Sequence, residues 1–139
     1  MTIVAQNRKA RYNFSFLELF ESGIELKGSE VKSLRNGKVN ISESYAREEG
    51  NELFLINSHF SKYSNSSYLN HEETRPRKLL LNRREIRKII GKLNKESLTL
   101  VPTKIFFNNT NFMQIFAQFI CIYTKGFINH TSTAYSIKQ

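Results

Sequence analysis

The stretch Gly28-Ser29-Glu30-Val31-Lys32-Ser33-Leu34-Arg35-Asn36-Gly37-Lys38 sets two kinds of side chain at helical spacing. Val31 and Leu34 stand three apart, so a helix puts them on one face, suited to burial. Lys32 and Arg35 also stand three apart and form a cationic rail beside it. Ser29 carries the hydroxyl of a helix N-cap, and Gly37 suits the left-handed residue that closes a helix. A helix of roughly one and a half turns would therefore aim cations outward from an apolar base. The chemistry such a device can perform is phosphate binding.

The wider charge map agrees. The 139 residues carry a formal charge of +9, with an isoelectric point near 9.8. A small domain this basic suits an acidic partner, nucleic acid first and an anionic membrane surface second. Arg75, Arg77, Lys78, Arg83, Arg84, Arg87, Lys88, Lys92 and Lys95 crowd one segment, faced there only by Glu85 and Glu96. Beyond Glu96 the only cations are Lys104, Lys125 and Lys138. The basic character belongs to the body of the chain.

Several chemistries are disfavoured. All 12 acids are Glu, so there is no Asp-rich site for Mg²⁺ or Ca²⁺ and no Ser-His-Asp set. Cys121 is the lone cysteine, in the apolar run Phe119-Ile120-Cys121-Ile122, which suits a buried thiol in a reducing cytoplasm. His59, His71 and His130 lack ligand spacing. No metal, no cofactor and no catalytic residue is expected. His71 with Glu72 and Arg75 is the one group with acid–base make-up, and it would make a metal-independent nuclease the enzymatic alternative. No secretory leader is expected, and no apolar run is long enough to span a bilayer.

The length fits one domain with a modest core. Phe14 to Leu26 reads as a strand with a bulge near Glu21-Ser22-Gly23. Val39 to Glu48 and Glu52 to Phe60 read as a hairpin turning at Glu49-Gly50-Asn51. Ser61 to Thr74 is polar and reads as a long loop. Asn82 and Glu85 have capping-box spacing, followed by the helical stripe Ile86, Ile89, Ile90, Leu93, with Arg84, Arg87 and Lys88 toward solvent. Leu98 to Phe107 reads as a strand with Pro102 marking a bulge or edge, and Phe112 to Tyr123 as its return. Many short strands with two or three helices predict a mainly β fold, a small closed barrel of the oligonucleotide-binding (OB) type. The barrel domain is expected over residues 1–123, with 124–139 a separate, disordered tail.

Six further segments complete a pattern. They are Ile3-Val4-Ala5-Gln6-Asn7-Arg8-Lys9-Ala10-Arg11, Phe20-Glu21-Ser22-Gly23-Ile24, Lys38-Val39-Asn40-Ile41-Ser42-Glu43-Ser44-Tyr45-Ala46, Arg77-Lys78-Leu79-Leu80-Leu81-Asn82, Arg84-Glu85-Ile86 and Leu98-Thr99-Leu100-Val101-Pro102. With the Gly28 to Arg35 motif they resemble, in order and spacing, the SsrA-binding protein family, also called small protein B. The resemblance runs from about Ile3 to Phe107. It implies an OB-type barrel that binds the transfer-RNA-like end of transfer-messenger RNA. It also implies entry into stalled ribosomes at the small-subunit decoding region, together with elongation factor Tu held through the RNA. No enzyme activity or membrane partner is implied, and a monomer is expected.

On that resemblance Asn7, Glu21 and Leu80 match positions on the RNA-contacting side. Asn7 would meet a base edge, Glu21 would accept from a base amine or organise arginines, and Leu80 would offer an apolar surface. Lys32, Arg35, Lys38, Arg75, Arg77 and Lys78 are the candidate phosphate contacts, with Arg11, Tyr45 and Lys125 added to the RNA-binding set and Tyr12 a possible stacking group. Plainer readings stand beside these: Glu21 in a surface ion pair, Leu80 in the core, Lys32 and Arg35 on a solvated face, the tyrosines in packing.

The match fades near the C-terminus. The family has a lysine-rich run and a long basic tail there, whereas only Thr124-Lys125-Gly126 is similar, followed by Phe127-Ile128-Asn129-His130-Thr131-Ser132. Such a segment has neither the charge nor the helix propensity to order on ribosomal RNA. A reading-frame slip, a degenerating copy or a true adaptation would each leave this pattern. The alternative expectation is therefore a protein that still binds RNA but is deficient in ribosome rescue. If the last strand failed to form, Phe112, Phe116 and Phe119 would be exposed.

Overall fold

The computed structural model describes residues 2–13, 18–62, 70–96, 98–109 and 113–123. Its two longest strands, β8 (Leu98–Asn109) and β9 (Met113–Tyr123), follow one another in sequence. They pair antiparallel from Leu98↔Tyr123 to Asn109↔Met113. β-branched and aromatic residues dominate both, as a pleated, half-buried surface demands. Pro102 cannot donate to a ladder, and the register shifts between Pro102 and Lys104. Thr103 Oγ1 staples the bulge, donating to the Gln118 carbonyl at 3.2 Å.

The remaining elements close around this pair. They are β1 (Thr2–Gln6), α1 (Arg8–Asn13), β2 (Leu19–Ile24), α2 (Gly28–Arg35), β3 (Val39–Asn40), β4 (Tyr45–Glu49), β5 (Glu52–Ile56), β6 (His59–Phe60), β7 (Arg77–Leu80) and α3 (Arg83–Glu96). The ring runs β8-β4-β5-β7-β2-β9 and returns to β8, with β1 alongside β8 and a separate β3–β6 pair. The expected mainly β closed barrel is therefore present, with six staves where the OB fold has five. Inward residues alternate along the strands. Leu53 and Leu55 of β5 are fully buried with Leu79, Leu100, Ala117 and Phe119 in the main core. The opposite parity of the same strands supplies Tyr45, Ile56, Val101 and Ile120, which α1 covers through Ala10.

The return strand forms, so Phe119 is buried and Phe116 stacks on Phe106 at 5.8 Å between centroids. Phe112 lies outside the described residues, as does the tail from residue 124 on. Other expectations need correction. The ladder from Leu19 to Gly23 is continuous, without the expected bulge. Val39 to Glu48 is split into β3 and β4 by a turn, where Asn40 Oδ1 accepts from the Ser42 N–H. Glu52 to Phe60 is broken at Asn57, whose φ of 60° stops the strand. The hairpin turn stands as expected, with Gly50 and Asn51 at φ 57° and 62°, the signature of a type I′ turn.

α3 begins on a full capping box. The Asn82 N–H donates to Glu85 Oε2 at 3.1 Å, and the Glu85 N–H donates to Asn82 Oδ1 at 2.9 Å. Ile86 and Ile89 are buried, and Ile90 and Leu93 pack against the main core. α2 differs from expectation at its start. Its N-cap is Lys27, not Ser29, and the Lys27 N–H donates to Glu30 Oε1 at 2.7 Å. Its end is a Schellman motif: Gly37 sits at φ 70°, the Gly37 N–H reaches the Leu34 carbonyl, and the Lys38 N–H reaches that of Ser33.

Candidate nucleic-acid interface

α2 buries Ser29, Glu30, Ser33 and Leu34, while Val31 is only half-buried. Glu30 stands four before Leu34, so helical geometry takes its carboxylate inside with that leucine. Two arginines meet it there. Arg77 Nε donates to Glu30 Oε2 at 2.6 Å, and Arg75 reaches both oxygens through Nε and a terminal nitrogen. Arg77 is fully buried and spends its other donors on Ser58 Oγ at 2.9 Å, the Arg75 carbonyl at 2.7 Å and the Glu73 carbonyl at 3.1 Å. Its guanidinium lies 4.0 Å from the centre of the Phe60 ring. This is a buried charge made tolerable by a complete set of acceptors.

Burial alone would raise the Glu30 carboxyl. The Arg75 hydrogen bond, the Lys27 N–H and the charges of Arg77 and Arg75 outweigh it and leave the group below its ordinary value of 4.5. Burial pushes Arg77 down, against the pull of Glu30. A carboxylate with a depressed folded pKa stabilises the fold fully above its unfolded value, and that contribution fades as pH falls through the folded pKa. Thermal melts should thus show a stability loss below about pH 4.5 that is reduced in Glu30→Gln.

His71 extends the same network. It is buried, with Nε2 2.7 Å from the Phe60 carbonyl and Nδ1 2.8 Å from Ser29 Oγ. A carbonyl only accepts, so Nε2 carries the proton, and in the neutral ring Nδ1 accepts from Ser29. Both nitrogens are committed, which removes the nuclease reading of His71, Glu72 and Arg75. Ser33 Oγ donates to the Ser61 carbonyl. The network ties α2, β6, the 70–76 segment and β7 into one platform.

Above the platform lies an outward face. On β7, Arg77 and Leu79 point in, while Lys78 and Leu80 point out, with Leu80 50% exposed. Leu80 pairs with Gly23 of β2, and a Cβ at Gly23 would stand 3.2 Å from that of Leu80. The glycine gives the leucine its seat. Two residues along β2, Glu21 is exposed on the same face. The α2 rail is a second group: Lys32, Arg35 and Lys38 are exposed, and Arg35 lies 5.8 Å from the Phe107 ring centre. Arg75, with its side chain 24% exposed, links the two groups through Glu30.

Of the sequence-derived set, the structure therefore brings Glu21, Lys78 and Leu80 together, and Lys32, Arg35 and Lys38 together. Three residues need correction. Asn7 is buried; its Nδ2 donates to the Pro102 carbonyl at 3.1 Å and its Oδ1 accepts from the Ala10 N–H, so its amide pins β8 and caps α1 and has no edge left for a base. Arg77 is the buried hub, not a phosphate contact. Tyr45 is buried in the second cluster, and burial raises its hydroxyl's pKa, so it packs and does not stack on RNA. Arg11 and Tyr12 lie on α1 with their side chains outside the described residues, and Lys125 lies outside them altogether. The residue that sequence reasoning missed is Glu30, and its signal was its place on the Leu34 face.

Fold and surface together define a small basic β-barrel with a cationic, partly apolar flank, a class suited to a structured polyanion. The family model described as SmpB protein matches residues 4–118, and the chain belongs to that family. An SsrA-binding protein of Allorhizobium ampelinum is 57% identical over 106 residues, 76% of this chain and 67% of the relative. One of Agrobacterium fabrum is 54% identical over 106 residues, 76% of this chain and 66% of the relative. The chain thus spans about two thirds of the length of these relatives. A chain in a solved structure described as "tmRNA-SmpB: a journey to the center of the bacterial ribosome" superposes with a TM-score of 0.67 at 43% identity, over 86% of this chain and 82% of that one.

Proposed function

We propose that this protein binds the transfer-RNA-like domain of transfer-messenger RNA and takes part in trans-translation, the rescue of stalled ribosomes. Family membership supports the partner, and the observation that carries the site is the β2–β7 face. An exposed leucine seated on a glycine, flanked by Lys78 and Glu21, offers apolar surface, cation and acceptor within one patch. Folded RNA is read through such mixed contacts to backbone, ribose and splayed bases. Lys32, Arg35, Lys38 and Arg75 neutralise phosphates beside it. The protein acts by binding and not by catalysis, in the cytoplasm, with the ribosome and elongation factor Tu as partners joined through the RNA. Among the described residues no helix is long and apolar enough to cross a membrane.

Fluorescence anisotropy with a labelled transfer-RNA-like fragment tests this reading. The full chain should bind it well ahead of a random RNA duplex of equal length, and log affinity should fall linearly with log salt. Equal affinity for the two RNAs would refute it.

A further inference from the structure

α2 is an 8-residue helix, so Lys32 and Arg35 ride on only about 12 Å of backbone. A helix this short is not stable by itself in water, and its orientation is set by what grips it. Its buried polar and apolar residues form two rows at a spacing of four, Glu30 with Leu34 and Ser29 with Ser33. The first row enters the core and meets Arg75 and Arg77. The second lies on the edge beside Lys32 and meets His71 and the Ser61 carbonyl. Granted the proposed role of the rail in binding RNA, we infer that His71 is its positioning residue: it locks the roll of α2 about its axis and so sets where Lys32 and Arg35 meet phosphates.

A helix held along one row can still roll about that row. A roll of roughly 20° carries a side-chain tip ~6 Å from the axis through about 2 Å, and a hydrogen bond to a phosphate does not survive such a displacement. The second row opposes the roll, and His71 anchors its N-terminal end. Nδ1 of the ring is 2.8 Å from Ser29 Oγ, and Nε2 is 2.7 Å from the Phe60 carbonyl. The far end of this strut is itself fixed. The Phe60 N–H donates to the Glu73 carbonyl at 3.0 Å, and the Ser61 N–H donates to the Lys38 carbonyl at 3.0 Å. Lys38, the third cation of the group, is thus tied to the same point.

The chemistry of the strut explains why it is a histidine. The ring is 2% exposed and planar, and its neutral form offers one donor and one acceptor at a fixed separation. It bridges Ser29 and Phe60 with no freedom to lengthen. An aliphatic side chain would fill the space, but it would leave the Ser29 hydroxyl and the Phe60 carbonyl without their partner, and nothing at that end would oppose the roll. His71 also stands in the 70–76 segment that leads into β7. The same residue therefore fixes the rail relative to Lys78 and Leu80, which one folded RNA must meet together with it. A role in packing alone would need neither the donor nor the acceptor.

The test compares the full chain with His71→Leu, His71→Gln and Ser29→Ala. Affinity for the transfer-RNA-like fragment is read at several salt concentrations, with a melting curve for each protein. His71→Leu should weaken binding roughly tenfold and lower the salt slope by about two, as Lys32 and Arg35 lose their phosphates. His71→Gln keeps a donor beside an acceptor and should restore most of the affinity and the slope. Ser29→Ala removes the hydroxyl that the ring grips and should act in the same direction as His71→Leu, to a lesser extent; it carries the test if the leucine variant does not fold. Adding Lys32→Gln and Arg35→Gln to His71→Leu, or to Ser29→Ala in its place, should cost less than the same pair costs the parent. A general loss of stability would lower affinity without that non-additivity and without moving the slope. Nitrogen-15 spectra of the free protein give a check that needs no RNA: the His71 ring should be protonated at Nε2 and bare at Nδ1. Folded variants that bind with the parent's slope, full additivity with the rail substitutions, or a ring protonated at Nδ1 would each overturn the inference. The proposed function fails separately, in the parent's preference for the fragment over a random duplex.

Discussion

Glu30→Ala should destabilise the fold by about 3–5 kcal/mol, because it strands a buried guanidinium without its counter-charge. In a domain of this size that corresponds to a melting temperature lower by roughly ten degrees or more. The cost is large because Arg77 is fully buried and cannot turn to water, and because Arg75 and the Lys27 N–H lose the same carboxylate. Arg77→Lys should also cost stability. A single ammonium cannot serve Glu30, Ser58 and the carbonyls of Arg75 and Glu73 together. Chemical denaturation and calorimetry measure both. A Glu30→Ala protein as stable as the parent would show that the triad does not hold the platform.

The second large effect falls on binding. Lys32→Gln, Arg35→Gln, Lys38→Gln and Lys78→Gln together should weaken affinity for the transfer-RNA-like domain on the order of a hundredfold near physiological salt, and reduce the salt slope by about four. These side chains are exposed or half-exposed, so the fold should tolerate the change, with each substitution within about half a kcal/mol. The small exception is Arg35, which gives up its place over the Phe107 ring. Titrations at several salt concentrations, with a melting curve as control, give the answer. An unaltered slope would remove these four residues from the interface.

Local signals in the chain proved legible where physics is local. The Asn82–Glu85 capping box, the left-handed Gly37, the Gly50-Asn51 turn and the Pro102 bulge each follow from a few adjacent residues, and each stands in the structure. β7 was not legible. Arg77 to Leu80 adjoins a basic helix, and nothing in a short window shows that Arg77 points inward while Lys78 points out. The reason is a partner 47 residues away, Glu30. Asn7 was misjudged for the same reason, since the Pro102 carbonyl that holds it lies 95 residues on. A buried charge or amide is chosen by a distant complement, and a single sequence does not display that complement. Glu21 and Leu80 reached the RNA side through the family resemblance, and the structure supplies the physical reason: with Lys78 they follow the period-two alternation of β2 and β7.

Lysine footprinting with an amine-acetylating reagent, read by mass spectrometry with and without one equivalent of the transfer-RNA-like domain, tests the binding face in a single measurement. Lys32, Lys38 and Lys78 should lose reactivity on RNA binding, while Lys9, 66% exposed on α1 beside Glu43, keeps it. Protection of Lys9 with Lys32, Lys38 and Lys78 left as reactive as in the free protein would contradict the assignment of this flank to RNA.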